Sequence, residues 1–207
     1  MAEKTYDKKL HIQTTGVREW GKREKAYNRY EPTPYAALEK LFTKYKLSQV
    51  DHVVDYGSGR GRVAFFIHHH FNIPVTGIEA NDRTLDEAMK NKQSYRRKRQ
   101  HLKAPISFEF ALAEQYEIDD LATCFYFFNP FSVQIFKQVI RNIHQSVKRN
   151  ERTVELILYY PLPEFKEYLK MHTDFEMIQR IPTPGDHGKY GKFVIYRLQQ
   201  ATYEQSV

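Results

Sequence analysis

One glycine-rich stretch decides the fold class of the chain: Asp55-Tyr56-Gly57-Ser58-Gly59-Arg60-Gly61-Arg62. It follows an apolar run of strand length and precedes a helix-capable segment. Alternating glycines tolerate positive φ and let a ligand approach the backbone closely. In an open α/β sheet, a loop after the first strand lies at the carboxyl edge, where ligands bind beside the free amides of the next helix. We therefore expect this stretch to be a ligand-binding loop.

Two common phosphate-binding loops match the stretch poorly. A P-loop carries Gly-Lys-Ser/Thr after a longer gap, whereas Gly61 is followed by Arg62 and Val63. A dinucleotide fingerprint places its third glycine at position 62, where this chain has arginine, and does not ordinarily carry an acid such as Asp55 before its first glycine. A nicotinamide-dependent oxidoreductase is therefore disfavoured.

Apolar segments of strand length alternate with helix-capable segments along the chain. The predicted strands are His52–Tyr56, Pro74–Glu79, Ile106–Ala111, Thr123–Phe128, Thr153–Tyr160, Phe175–Ile181 and Lys192–Leu198. The predicted helices are one that begins after Thr33, then Gly61–His69, Arg83–Arg99, Ser132–Lys148 and Glu164–His172. This alternation indicates a doubly wound α/β fold, with a mostly parallel seven-stranded sheet and helices on both faces. The last two strands, joined by the turn-rich Pro182–Gly188, predict a C-terminal antiparallel hairpin.

The acid-x-Gly-x-Gly-x-Gly pattern from Asp55 to Gly61 resembles motif I of the class I S-adenosylmethionine-dependent methyltransferases. Glu79 ends the second predicted strand 22 residues after Gly57, where a carboxylate can accept both ribose hydroxyl protons. The resemblance spans about residues 50–198 and implies S-adenosylmethionine as the cofactor. The cofactor-binding residues that it implies are Asp55, Gly57, Ser58, Gly59, Gly61, Glu79, Ala80, Asn81, Ala113 and Glu114.

In that family, the residues after the ribose-binding acid line the adenine, and a small residue followed by an acid after strand three contacts the adenine amine. Ala80-Asn81 and Ala113-Glu114 stand at those positions, and Gln115 or Glu117 can replace Glu114. Simpler interpretations stay open. The glycines can form a tight turn without a ligand, Glu79 can be an ordinary strand-end charge, and Asp55 can mainly accept backbone amides of the loop.

The fourth predicted strand ends in Asn129-Pro130-Phe131, which resembles a shortened Asn-Pro-Pro-Phe/Tyr motif of methyltransferases that act on planar nitrogen. The resemblance implies that Asn129 and a backbone carbonyl accept the amine hydrogens while Phe131 packs on the planar group. One proline is missing, which displaces the second carbonyl and the aromatic ring. The alternative is that Asn129 caps the next helix.

Residues 1–32 are polar and predict an N-terminal arm that covers the cofactor or acceptor site, whereas residues 33–207 form the methyltransferase domain. In class I methyltransferases the segment before strand one often shapes the acceptor pocket. Tyr30, Thr33 and Tyr35 are therefore candidates, and we count Tyr35 with Asn129, Pro130 and Phe131 as candidate catalytic residues.

The net charge is +7 and the isoelectric point is near 9.3, so an anionic partner is favoured. Basic residues cluster in Lys90–Lys92, Arg96–Arg99 and Lys148-Arg149, although such clusters also occur as solvated helix faces. We expect the methyl acceptor to be a nitrogen on nucleic acid or protein. The alternatives are a small-molecule methyltransferase and a non-catalytic module that binds nucleic acid or protein on the same fold.

Several classes of site are not expected from this sequence. No apolar stretch is long enough for a membrane helix and the N-terminus lacks an apolar signal core, so a cytoplasmic protein is expected. The single cysteine, Cys124, lies in an apolar run and is expected to be a buried hydrophobic residue. His68-His69-His70 point in divergent directions on a helix, so no metal is assigned.

Overall fold

A computed structural model describes residues 2–17, 26–48, 51–183 and 192–199 of the chain. Its helices are α1 (Ala2–Leu10), α2 (Tyr35–Lys44), α3 (Arg62–Phe71), α4 (Asp82–Lys98), α5 (Val133–Arg149) and α6 (Pro163–His172). Its strands are β1 (Val53–Tyr56), β2 (Val75–Glu79), β3 (Ile106–Phe110), β4 (Cys124–Phe127), β5 (Val154–Tyr159), β6 (Glu176–Pro182) and β7 (Lys192–Leu198). The predicted strands and helices are confirmed to within one or two residues at their ends.

The seven strands form one sheet in the order β3-β2-β1-β4-β5-β7-β6. Strands β1 to β5 pair in parallel, and β7 runs antiparallel to both β5 and β6. The predicted doubly wound sheet with a C-terminal antiparallel hairpin is therefore confirmed. Residues 184–188 of the predicted turn between the last two strands lie outside the described residues.

Helices cover both faces of the sheet because successive strand residues point to opposite sides. Val53 belongs to the core cluster that includes buried residues of α1 to α4, whereas Val54 belongs to the cluster under α5 and α6. The apolar stripe of α5 faces this second cluster, with Phe136 and Ile140 fully buried. Cys124 lies in the first cluster as a buried free cysteine, as predicted.

The register of the parallel strands brings their carboxyl ends together. Tyr56, the last residue of β1, lies opposite Ile78 of β2 and Phe127 of β4. The loops that follow these three strands therefore meet at one edge of the sheet, where the ligand-binding crevice of an open α/β sheet lies.

The first described residues of the N-terminal arm, 2–17, contribute to the core. Leu10 and Ile12 are buried in the first core cluster, and the ring of Tyr6 stacks on Tyr35 of α2 with 4.0 Å between their centroids. Arg62, the first residue of α3, is 3% exposed and holds the arm through an ion pair with Glu3. Its Nε donates to the Thr14 hydroxyl at 2.7 Å.

Candidate functional site

The glycine-rich loop joins β1 to α3 through backbone that only glycine adopts easily. Gly57, Gly59 and Gly61 have φ of 72°, 56° and 88°. The amides of Gly57 and Ser58 both donate to the Ile78 carbonyl, at 2.9 and 3.0 Å, which ties the loop to the end of β2. A Cβ atom added at Gly57 would lie 2.4 Å from the Cβ atom of Pro130, which shows that the loop after β4 packs directly against this glycine.

Glu79 lies at the end of β2 and faces the loop. Its carboxylate is buried, and its two oxygens accept hydrogen bonds from the amides of Gly59 at 2.8 Å and Asn81 at 2.9 Å. A carboxylate oxygen can accept more than one hydrogen bond. Ala80 lines the adjacent pocket, whereas the side chain of Asn81 caps α4 by accepting from the Thr84 amide at 2.9 Å.

After β3, a short 3₁₀ helix, Ala113–Gln115, brings Ala113 and Glu114 to the same edge. The Ala113 amide donates to the Tyr27 hydroxyl at 3.1 Å, and that hydroxyl donates to the Glu114 carboxylate at 2.7 Å. Burial and the nearby Glu114 carboxylate raise the pKa of Tyr27, so its phenol keeps the proton that it donates. The tyrosine thus contacts both residues that the sequence assigns to the adenine.

Asp55 is a buried carboxyl near the end of β1 and is 2% exposed. Burial raises its pKa to about 8, and the Glu79 carboxylate adds to the rise. Its Oδ2 atom has no hydrogen-bond partner among the described residues. The loop amides of Gly57 and Ser58 bond to Ile78, and that of Gly59 bonds to Glu79, so the structure gives no support to Asp55 as the acceptor of those amides.

Residues 26–31, here called the strap, run across this edge. The strap pairs with the loop after β4: the Ser132 amide donates to Ala26, and the Asn28 amide donates to Pro130, at 2.7 and 2.9 Å. The ring of Tyr30 covers Gly59, where an added Cβ would lie 2.2 Å from it. Sequence reasoning proposed Tyr30 as a pocket residue but missed Tyr27 and Asn28, because their contacts join residues about a hundred positions apart with no shared pattern.

The strap leaves little free space in the crevice. The remaining cavity is about 50 Å³, and its lining includes Gly57, Glu79, Ala80, Ala113 and the strap residues Tyr27 to Glu31. Small-molecule sites in proteins usually have roughly 300–1,000 Å³. The strap therefore fills most of the site that the three loops form.

The residues at the end of β4 lie beside the loop. Asn129 adopts a left-handed backbone with φ of 40°, and its Nδ2 donates to the carbonyl of Tyr160, another left-handed residue, at 2.6 Å. Two such residues in contact indicate local backbone strain at this edge. The structure contradicts the alternative that Asn129 caps α5, because Ser132 is at the N-cap. Pro130 lines the cavity and Phe131 is fully buried beside it.

Tyr35 and Thr33 lie away from the cavity. Tyr35 is 3% exposed, donates its hydroxyl to Asp7 at 2.6 Å, and lies 4.4 Å from the Arg62 guanidinium. Thr33 shares a hydrogen bond with the hydroxyl of Tyr126 at 2.8 Å. The structure thus places Tyr35 in the contact between the arm and α3 and does not bring it to the other candidate catalytic residues.

The three consecutive histidines have separate surroundings. His68 contacts the Tyr95 hydroxyl at 2.8 Å and His70 contacts the Tyr6 hydroxyl at 2.6 Å. Within the described part of the chain, no group of three or more histidine, cysteine or acidic residues is placed to hold a metal ion. Over the same part, no helix is long and apolar enough to cross a membrane.

Comparisons with known proteins relate the chain to methyltransferases. No family model matches it. It is 36% identical over 63 residues to a protein-lysine N-methyltransferase of Saccharolobus islandicus (strain REY15A). That match covers 30% of this chain and only 39% of the relative.

Solved structures resemble it over a longer span. A proposed RNA methyltransferase of Pyrococcus horikoshii superimposes with a TM-score of 0.57, at 15% identity and over 99% of both chains. An RNA methyltransferase of Salinibacter ruber, in complex with S-adenosylhomocysteine, superimposes with a TM-score of 0.55, at 14% identity and over 86% of this chain and 98% of the other. The chain therefore has the fold of the class I S-adenosylmethionine-dependent methyltransferases.

Proposed function

We propose that the protein is a methyltransferase that binds S-adenosylmethionine in the crevice behind the strap. The observation that carries this proposal is the convergence of three groups at one sheet edge: the glycine loop, the Glu79 carboxylate and the Ala113 amide. The partial match to a lysine methyltransferase and the fold of the solved relatives support it.

Each loop supplies one part of the proposed cofactor site. The backbone of Gly57, Ser58, Gly59 and Gly61 lies against the methionine end, where a side chain would block the approach. Glu79 accepts the ribose hydroxyl protons. Ala113 and Glu114 bond the adenine edge, with Ala80 and Asn81 beside it.

The polar groups that have no protein partner also suit this cofactor. The buried Oδ2 of Asp55 and Oγ of Ser58 have no hydrogen-bond partner among the described residues. A buried polar atom without a partner costs roughly 1–3 kcal/mol, so a ligand that approaches it is favoured. S-adenosylmethionine carries a cationic sulfonium and a cationic amine, and these positive charges would favour the ionised form of Asp55, whose pKa is about 8 without the ligand.

Entry of the cofactor requires the strap to move. The cavity of about 50 Å³ is too small for a nucleoside, and the Tyr27 hydroxyl already occupies the Ala113 amide. The bonds of the strap to the loop after β4 and those of the Tyr27 hydroxyl each contribute about 0.5–1.5 kcal/mol net, a cost that the binding energy of a ligand can offset. We propose that the strap leaves the crevice and then packs over the bound cofactor.

The proposed chemistry is direct transfer of a methyl group, which the sulfonium of the cofactor supplies in activated form. Positioning then provides most of the acceleration, with the acceptor atom held about 3–3.5 Å from the methyl carbon. We propose that the side-chain oxygen of Asn129 and a backbone carbonyl orient the acceptor nitrogen. Pro130, the neighbour of Asn129, packs directly against Gly57, and Phe131 is fully buried in the same loop.

The acceptor in this proposal is a nitrogen on nucleic acid or protein, in agreement with the basic charge of the chain. A second candidate function follows from the filled crevice: a module on the same fold that binds nucleic acid or protein without catalysis. The cytoplasmic location is also a proposal. It is supported by the lone buried cysteine, which forms no internal disulfide.

Calorimetric titration tests the cofactor assignment. Protein stripped of bound ligands is titrated with S-adenosylmethionine, S-adenosylhomocysteine and NAD, and the Glu79→Gln variant is compared with Glu109→Gln, a matched change at an exposed residue of β3. We expect binding of the first two ligands only, weakened roughly tenfold or more in Glu79→Gln because a charged hydrogen bond is worth about 1.5–3 kcal/mol. Binding of NAD alone would contradict the proposal and favour a nicotinamide-dependent enzyme, whereas binding of none of the ligands would favour the binding module.

A further inference from the structure

A second concavity lies between the start of the arm and α4, and Arg60 of the glycine-rich loop is part of its lining. It is a groove of about 830 Å³ whose walls are α1, residues 11–15 and α4. The walls are fastened to each other by Asn91, which exchanges hydrogen bonds with the backbone of Gln13 at 2.9 and 3.2 Å. Arg60 adds a bond to the Thr15 carbonyl at 2.6 Å. These hydrogen bonds fix the walls of the groove relative to each other.

The groove carries an excess of positive charge. Lys4 and Lys8 lie one turn apart on α1 and face the groove, with Lys90 on α4 opposite. All three side chains are exposed, and none has an ion-pair partner among the residues that the structure describes. An anionic ligand would therefore not have to displace an existing partner.

The two acids in the groove do not offset these lysines. Asp7 is 4% exposed and accepts four hydrogen bonds, from both the amide and the hydroxyl of Thr14, from the Thr15 amide and from the Tyr35 hydroxyl. Glu87 accepts from Nε of Arg60 at 2.7 Å in an ion pair. Both carboxylates therefore bind groups of the protein other than these lysines, whose side chains are exposed to solvent.

Positive charge continues along α4 beyond the groove. Ser94 and Arg97 follow Lys90 at helical spacing, four and three residues apart, so all three lie on one face over about 10 Å. Arg97 lines a shallower depression with Arg96 and Lys103. The lysine groove and this depression together form a basic track along one side of the molecule.

The composition of the track distinguishes between anionic partners. Protein interfaces are anchored by aromatic and apolar side chains in pockets, whereas Ile12 is the only apolar side chain in the lining of the groove that the structure describes, and it is 4% exposed. Polynucleotides bind through repeated contacts between cations and backbone phosphates, which require no apolar anchor. The track therefore suits a phosphodiester chain better than an acidic protein.

The groove also lies next to the proposed reaction site. The Arg60 guanidinium, at one end of the groove, is 5.1 Å from the ring of Tyr30, which covers Gly59 of the cofactor loop. We propose that the groove binds the phosphodiester backbone of a polynucleotide, and that the same polynucleotide carries the methyl acceptor. The second part rests on the proposed methyltransferase function, and the first part does not.

Fluorescence anisotropy of a short labelled single-stranded RNA, and of DNA with the same sequence, tests the proposal on the full chain. The groove variant combines Lys4→Gln, Lys8→Gln and Lys90→Gln. The control combines Lys44→Gln, Lys148→Gln and Lys170→Gln, which removes the same charge from exposed positions on α2, α5 and α6. Thermal melts confirm that both variants fold.

We expect the groove variant to bind RNA or DNA at least roughly tenfold more weakly, with the control near wild type. The slope of log affinity against log salt should fall by about 2, because each lost phosphate contact removes roughly 0.7. A preference between the RNA and DNA arms identifies which polynucleotide is bound. Equal losses in both variants, no binding of either nucleic acid, or equally tight binding of a polyglutamate peptide would overturn the proposal. Calorimetry with the cofactor is run in parallel, so failure of the methyltransferase proposal is seen separately.

Discussion

The hydroxyl of Tyr27 accepts a hydrogen bond from the Ala113 amide and donates one to Glu114, at 3.1 and 2.7 Å. The edge of adenine offers the same pair of functions, since a ring nitrogen accepts beside an amine that donates. Tyr27 therefore occupies in this structure the two groups that we assign to the cofactor's base. In the proposed site, the strap and the cofactor would compete for these two groups.

This competition predicts that Tyr27→Phe binds S-adenosylmethionine more tightly than the wild type. The variant keeps the ring but loses a hydroxyl whose hydrogen bonds stabilise the closed strap by about 0.5–1.5 kcal/mol. A less stable closed state raises the fraction of open protein, so the apparent dissociation constant should fall by roughly two- to tenfold. Calorimetric titration measures the change.

Tyr168→Phe is the matched control, because Tyr168 lies on α6 far along the chain from the crevice lining. It should leave the affinity unchanged. Weaker binding in Tyr27→Phe would mean that the hydroxyl contacts the bound cofactor instead of competing with it.

The raised pKa of the Asp55 carboxyl predicts that the stability of the protein depends on pH. The carboxyl has a pKa of about 8 in the folded protein and about 4 when unfolded, because burial disfavours its charged form. Between these values the unfolded chain loses the proton that the folded chain keeps, so the free energy of unfolding falls as the pH rises, by up to about 1.4 kcal/mol per pH unit. In Asp55→Asn this group no longer titrates, so urea denaturation from pH 5 to 8 should show a flatter profile.

Asp86→Asn serves as the control for this experiment, since Asp86 is exposed on α4. Its profile should follow the wild type. An unchanged slope in Asp55→Asn would show that Asp55 is ionised in the folded protein at neutral pH.

The sheet and the position of the glycine-rich loop could be predicted because their signals are local. Apolar runs of strand length, the alternation with helices and the spacing from Gly57 to Glu79 are all visible along the sequence, and parallel pairing then brings the strand ends together. Glu79 and Ala113 reach the same edge for that reason alone.

The strap could not be predicted in the same way. Tyr27 contacts residues 86 and 87 positions away, and no periodicity marks it among the 15 tyrosines of the chain. In the sequence, Arg62 is notable only because it replaces a glycine of the dinucleotide fingerprint. Its burial could not be predicted, because it depends on partners in the arm. The left-handed backbone of Asn129 likewise depends on its tertiary contacts with Tyr160.

Replacing the buried Arg62 is expected to lower the stability of the protein strongly. Arg62→Ala leaves Glu3 and Asp7 without their cation and removes the bonds to Thr14 and to the Thr33 carbonyl. Removing one partner of a buried ion pair costs about 3–5 kcal/mol. Because Glu3 is partly exposed, we expect a loss near 3 kcal/mol in urea denaturation, against less than about 0.5 kcal/mol for the exposed Arg83→Ala. Similar small losses in both variants would show that Arg62 does not anchor the arm.

The final prediction separates a chemical role of Asn129 from a structural one. Asn129→Gly removes the side chain, and glycine adopts the left-handed backbone easily. The relief of backbone strain should stabilise the variant, whereas loss of the hydrogen bond to Tyr160 should destabilise it. We therefore expect its free energy of unfolding to stay within about 1 kcal/mol of the wild type. If the side chain orients the acceptor, methyl transfer should fall roughly a hundredfold or more while cofactor affinity is unchanged. Transfer of tritiated methyl groups into an RNA pool measures the rate. Asn72→Gly is the control, because Asn72 has the same backbone region, with φ of 50°, at the end of α3. Equal turnover in both variants would assign Asn129 a structural role, and the acceptor would then be oriented by backbone groups of the same loop.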